Sequence, residues 1–176
     1  MKRAACRPTD MIDRRPLANL TIEQQPEPVV CAIALCGEAR GEQDRGGRLE
    51  SLAMAGVLCV ARNRSVDPFK RWPRTLRQVL VQPWQFSCFN PNDANRAKLL
   101  TLWQDDPVSW ERADTVCDLF ESGCLLDVTY GSTHYCRTEL WNTDTPGRAW
   151  YSRQEIESGR TRGLTVIGAH TFGRAE

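Results

Sequence analysis

Glu38 is the residue whose surroundings point most directly to chemistry. It stands in Gly37-Glu38-Ala39-Arg40-Gly41-Glu42, just after residues 29–36 (Val-Val-Cys-Ala-Ile-Ala-Leu-Cys), the longest apolar run of the chain. A carboxylate at the end of such a run is partly desolvated, which favours its protonated form and lets it donate a proton near neutral pH. Cleavage of a glycosidic bond needs such a donor, because the leaving oxygen is protonated as an oxocarbenium-like transition state develops. A structural role fits the same position, with the carboxylate paired to Arg40 or Arg64, and position alone does not decide between the two. Glu42 follows four residues later. It shares a helical face with Glu38 only if a helix runs through Gly41, which disfavours one. Glu42 therefore reads as structural, holding an arginine or the following loop.

The elements that must position these groups follow from the pattern around them. Residues 1–28 mix charge and proline and show no apolar period, which makes them an N-terminal arm ahead of a domain at 29–176. The dense apolar run from Val29 suits a helix buried nearly all round, and periodicity alone leaves a buried strand open there. A glycine-rich connection at 41–47 leads to an amphipathic helix, with Leu49, Leu52, Ala53, Gly56, Val57, Val60 and Ala61 at helical spacing up to Asn63-Arg64. Thr75 is placed to cap a short helix through Val81, and residues 83–91 form an aromatic loop bounded by prolines. Two more helices are predicted at 93–103 and 109–122, the second with Ser109 as N-cap and Gly123 past its end. Beyond Leu125 the texture turns to strand, at 128–130, 133–136 and 165–172. Helices before strands imply an α+β domain.

Bulk properties narrow the classes. With 176 residues, 41% hydrophobic and 26% charged, the chain has the size and composition of one globular domain. The apolar run is far short of a membrane span. A net charge of +1 supplies no field for nucleic acid or an anionic membrane. The eight cysteines form no Cys-x-x-Cys pair, and most read as buried thiols. No apolar segment follows Lys2 and Arg3, so synthesis in the cytoplasm without a signal peptide is expected.

Five blocks occur in a telling order: Gly37 to Glu42, the helix ending in Asn63-Arg64, Gln85-Phe86-Ser87, Thr133-His134-Tyr135, and Ile167-Gly168-Ala169-His170-Thr171-Phe172. Together, over about residues 30 to 173, they resemble the landmarks of the SleB-like cell wall hydrolases. The resemblance implies a lysozyme-like (lytic transglycosylase-like) α+β fold, with a helical core and a small β region. It implies cleavage of peptidoglycan glycan strands by lytic transglycosylase chemistry, with muramidase-type hydrolysis as the alternative, and no metal or organic cofactor. Glu38 would then protonate the oxygen between N-acetylmuramic acid and N-acetylglucosamine and afterwards act as base on the muramyl 6-hydroxyl. Such a mechanism needs no second carboxylate; a hydrolase would draw one from Asp44, Glu50 or Asp127.

Within that resemblance Gln85 is a candidate to bind an N-acetyl group or a hydroxyl, or else it ties down its own loop. Trp84 and Phe86 are suited to sugar stacking or to a core, at most one of them to stacking. His134 and Tyr135 are candidates to line the groove, Tyr135 as donor to substrate or to Glu38. His134 fits equally a satisfied structural histidine. His170 is a weaker candidate, reading first as a buried ring bonded to backbone. The chain has Cys136 where the family often has a second histidine, and its stretch between Arg40 and Asn63 is a few residues longer. Two other classes compete. His134, Cys136 and His170 suggest a zinc amidase or peptidase, on a poor His-x-Cys spacing and without a His-Glu-x-x-His segment. A non-catalytic glycan-binding or virion domain would keep the aromatic groove and need no acid. The expected setting is a monomer acting on the cell wall, after phage-mediated release or within a virion, or in wall remodelling.

Overall fold

The structure, a computed structural model, describes residues 12–42, 46–141 and 153–175. Asp44, one of the three carboxylates considered above, lies outside the described residues. Helices α1 (Glu27–Ala39), α2 (Arg48–Ser65), α3 (Leu76–Leu80), α4 (Leu102–Asp105) and α5 (Pro107–Glu121) come first in the chain. Strand β1 (His134–Arg137), a short α6 (Arg153–Glu157), β2 (Thr161–Ile167) and β3 (His170–Ala175) follow.

α1 is apolar all round because α2, α3 and α5 all pack on it. Val30, Ile33, Ala34 and Leu35 are fully buried there. Each large side chain so buried contributes about 1.5–3 kcal/mol against the unfolded chain. α2 supplies Met54, Val57, Leu58 and Ala61 to the same core. The three strands form one antiparallel sheet in the order β1-β3-β2, with Tyr135 opposite Phe172 and Ile167 opposite His170. Helical core and small sheet together give the α+β architecture that the chain order implies.

Residues 12–26, inside the stretch read as an arm, are fixed to the domain by polar groups. The Arg14 side chain is fully buried and donates to Asp114, Asp118 and Glu121, a stripe along α5. Gln25, also buried, accepts from the Leu17 N–H at 2.8 Å and donates to the carbonyls of Leu17 and Leu20. Ile22 joins the core. A search for apolar periods does not register anchors of this kind.

Several expectations need correction. No long helix occupies 93–103: a 3-10 turn at Arg96–Lys98 precedes the single turn of α4. The Asp93 carboxylate accepts from the Asn95 N–H at 2.8 Å, a local bond that competes with helix, and Pro107 follows closely. α5 is capped by Asp106, which accepts from the Ser109 N–H, with Pro107 at its start. Ser109 instead donates its hydroxyl to Glu50 at 2.6 Å. Residues 128–130 are a turn rather than a strand, because Asp127 collects the N–H groups of Thr129 and Gly131, each at 2.8 Å. The apolar stretch at 165–172 is not one strand; it folds back at Gly168-Ala169 into the β2–β3 hairpin. Cys31, Cys36, Cys59, Cys88 and Cys117 are buried free thiols, and Cys136 is a half-buried one. No helix among the described residues is long and apolar enough to cross a membrane.

Candidate active site

α1 delivers Glu38 in its last turn, and Gly37 decides where. A Cβ at Gly37 would lie 2.7 Å from Cys88 Cβ and 2.8 Å from Cys88 Sγ, so only glycine lets the helix end approach the 3-10 turn at Ser87–Phe89 this closely. That approach sets the Glu38 carboxylate against three donors. Oε1 accepts from the Cys88 N–H at 2.7 Å and from the Ser87 hydroxyl at 3.0 Å, and Oε2 accepts from the Tyr135 hydroxyl at 2.6 Å. Neither arginine considered as a structural partner, Arg40 or Arg64, forms an ion pair with it.

Tyr135 reaches Glu38 because the end of α2 fixes the start of β1. Asn63 donates its amide to Asp127 at 3.1 Å and to the Ser132 carbonyl at 3.0 Å, while Arg64 Nε donates to the Thr133 carbonyl at 2.7 Å. The Asn63-Arg64 block therefore works by holding the 127–133 loop. Tyr135 then stacks on Phe172 with ring centroids 5.6 Å apart and meets the edge of His170 at 5.6 Å. Burial, reinforced by the Glu38 charge, pushes its phenol well above the usual range, so Tyr135 remains a donor. Arg64 is 5% exposed and lies over the faces of Phe86 and Trp72 at 5.3 and 5.7 Å. Burial lowers it to about 10, opposed by Tyr135 and Glu38, which leaves it charged at neutral pH.

Two cavities meet at Glu38. The larger, about 760 Å³, is lined by Arg64, Trp84, Gln85, Ser87, Asn90, Asn92, His134, Tyr135 and Cys136 among others. The smaller, about 310 Å³, is lined by Arg40, Gly41, Glu42 and Ala169. Glu38, Arg137 and His170 belong to both. The acid candidate thus faces a groove with a limb on either side, the form an extended polymer needs.

Of the residues singled out in the sequence, Glu38, Gln85, His134, Tyr135 and His170 come together along this groove. Phe86 does not: it is fully buried beneath Arg64, with no face for a sugar, so its part is to support Arg64 and Tyr135. Trp84, 69% exposed and with φ 67°, is the aromatic that the loop presents. His134 places Nδ1 3.0 Å from the Thr133 hydroxyl, and burial with Arg64 and Arg71 nearby lowers it to about 4, so it stays neutral. His170 is not bonded to backbone through its ring; its Nδ1 faces Glu42 at 3.2 Å. Glu42 holds the hairpin turn, accepting from the Ala169 N–H at 3.1 Å; residues 43–45 of the loop that follows it lie outside the described residues.

Glu50 and Asp127 are engaged elsewhere, Glu50 with Ser109, the Gly41 N–H and Arg112, and Asp127 with Asn63 and its own turn. Among the described residues no three His, Cys, Asp or Glu side chains converge as a metal site, so the zinc arrangement of His134, Cys136 and His170 does not form. Sequence reasoning missed the Ser87 hydroxyl, although it closes a block already noted, and it missed Asn90, Asn92 and Arg137.

A family model described as cell wall hydrolase matches residues 50–173. The fold is similar to that of the catalytic domain of the germination-specific lytic transglycosylase SleB from Bacillus anthracis. That likeness has a TM-score of 0.51 and 18% identity, and it covers 89% of this chain and 98% of that one. The catalytic domain of the Bacillus cereus SleB protein aligns with a TM-score of 0.49 and 19% identity, over 92% of this chain and 96% of that one. No curated protein matches the chain.

Proposed function

The chain belongs to the cell wall hydrolase family, and from that premise we propose that it cuts peptidoglycan between N-acetylmuramic acid and N-acetylglucosamine, with Glu38 as acid and then base. The observation that carries this reading is the single carboxyl, oriented by three donors, where the two limbs of the groove meet. Protonated Glu38 gives its proton to the bridging oxygen as the bond from that oxygen to muramyl C1 breaks. The carboxylate then takes the proton of the muramyl 6-hydroxyl as its oxygen bonds to C1, closing an anhydro ring. Each step leaves Glu38 ready for the next, so one carboxyl suffices. Ser87, whose hydroxyl both donates and accepts, can follow Glu38 between the two protonation states. Gln85, Trp84, His134 and Tyr135 line the limb that would hold the sugars on one side of the scissile bond.

Hydrolysis by water is the second reading, favoured by the place of Glu42 in the smaller cavity beside Glu38. Mass spectrometry of muropeptides released from purified sacculi separates the two, since anhydro ends and reducing ends differ by one water. Glu38→Gln, with unchanged circular dichroism and melting, is expected to release none. Release at the wild-type rate by this variant would refute the assignment.

A further inference from the structure

Glu42 and His170 form a buried pair that the acid-then-base scheme does not use. The Glu42 side chain is 11% exposed and that of His170 10% exposed. Gly168 makes the contact possible: its φ is 58°, and a Cβ there would lie 2.5 Å from Glu42 Oε2. Both Glu42 oxygens accept from the Ala169 N–H, which fixes the carboxylate as an acceptor. His170 Nδ1 is buried, makes no well-aligned hydrogen bond, and has Glu42 Oε1 at 3.2 Å. A carboxylate oxygen at that distance attracts an N–H dipole and repels a bare nitrogen, so the ring proton belongs on Nδ1. Burial lowers His170 against the pull of Glu42 and Glu38, and the ring is therefore neutral, with Nε2 a bare acceptor. The ring borders both cavities and meets the edge of Tyr135, whose hydroxyl holds Glu38.

Building on the proposed glycan cleavage, we propose that Glu42 locks His170 in the Nδ1–H tautomer, so that Nε2 accepts a hydrogen bond from a hydroxyl or N-acetyl N–H of the hexosamine next to the scissile bond. His170 is then a substrate-binding residue, and Glu42 a positioning residue acting through it. The glutamate does more than pin the hairpin: it sets the sense of a hydrogen bond beside Glu38.

Glu42→Gln tests this directly. Its carbonyl oxygen still accepts from the Ala169 N–H, but its amide N–H donates to Nδ1, moving the ring proton to Nε2 and reversing the sense presented to the sugar. The chain has only two histidines, so imidazole 15N spectra report the tautomer, with His134→Gln assigning the signals. Expected are an Nδ1–H tautomer in the wild type, the other in Glu42→Gln, and muropeptide release at least tenfold slower with melting unchanged. His170→Phe, which keeps the ring packing, should lose as much, and the double variant no more than His170→Phe alone. An N-acetylglucosamine tetramer should shift the Nε2 signal of the wild type and not of Glu42→Gln. An Nε2–H tautomer in the wild type, turnover within twofold for both folded single variants, or fully additive losses would overturn the proposal. The tautomer is read without turnover. A wild type that cuts no sacculi therefore refutes the cleavage reading, and the spectra still decide whether Glu42 sets the tautomer.

Discussion

Replacing Tyr135 by phenylalanine removes one oxygen and little else. The ring keeps its stacking on Phe172 and its edge contact with His170, while the 2.6 Å hydrogen bond to Glu38 Oε2 is lost. A hydrogen bond to a charged group is worth about 1.5–3 kcal/mol. Glu38 is half-buried and opens to cavities on both sides, so water takes over part of the role and the lower end applies. About 1.5 kcal/mol in orientation of the acid corresponds to roughly a tenfold fall in turnover. The fold should notice less: about 1 kcal/mol for the lost bond lowers Tm by about 2–4 °C in a domain of this size. Initial rates of muropeptide release over a range of sacculus concentrations separate the effects, and the loss is expected in kcat with KM little changed. A folded Tyr135→Phe protein within twofold of wild-type kcat would show that Tyr135 does not orient the acid. A loss confined to KM would show that its hydroxyl serves the sugar instead.

Arg14→Ala should leave Asp114, Asp118 and Glu121 unpaired along α5; these are partly exposed, so the cost is about 2–3 kcal/mol, or a Tm lower by roughly 5–10 °C, with cleavage at 25 °C retained. A melting point within about 2 °C of wild type would refute the anchoring role. His134 has a folded-state value of about 4, below its unfolded value near 6.5, so the unfolded chain takes up a proton that the native state does not. Its contribution to stability is present above pH 6.5 and is lost as pH falls toward 4. Urea unfolding of His134→Gln should therefore show a smaller loss between pH 7 and pH 4.5 than the wild type, and an equal loss would refute it. Trp84→Ala should raise KM for sacculi roughly 3–10-fold through the lost ring contact while sparing kcat and Tm, because the side chain is mostly exposed. An unchanged KM would remove Trp84 from the groove.

What the sequence shows well is what an apolar period or a local cap writes into it. α1 showed itself as a dense apolar run, buried from Val29 to Cys36, α2 because Ala53, Gly56, Val57, Val60 and Ala61 are buried at helical spacing, and α3 because Thr75 accepts from the Gln78 N–H as a cap should. The polar elements were harder to see. Asp93, Asp106 and Asp127 each terminate or redirect the backbone through a carboxylate bond to an N–H two to four residues on. Their effect is invisible to a reading that follows hydrophobic spacing. Arg14 is a sharper case, since a fully buried guanidinium is intelligible only once the acids of α5, a hundred residues away, are seen around it. Phe86 shows the opposite error, in which a stacking type of side chain beside a candidate amide proved to be core.

The site was legible to a different degree, for a physical reason. Glu38 taken alone was as well explained by a structural pairing, and what makes it a candidate acid lies outside its own segment. Gly37 matters because of Cys88, Asn63-Arg64 because of the loop that launches Tyr135, and Gly168 because of Glu42. Each block in the sequence is thus one half of a contact whose other half is another block, and this is why their order carried more information than any of them singly. The same pairing of blocks brings Glu42 to His170. Glycines at 37 and 168 permit two close approaches around the groove, one bringing donors to Glu38 and the other bringing a carboxylate to His170. A groove built only to bind glycan would need the first limb and its aromatic. It would have no use for a carboxylate held between three donors.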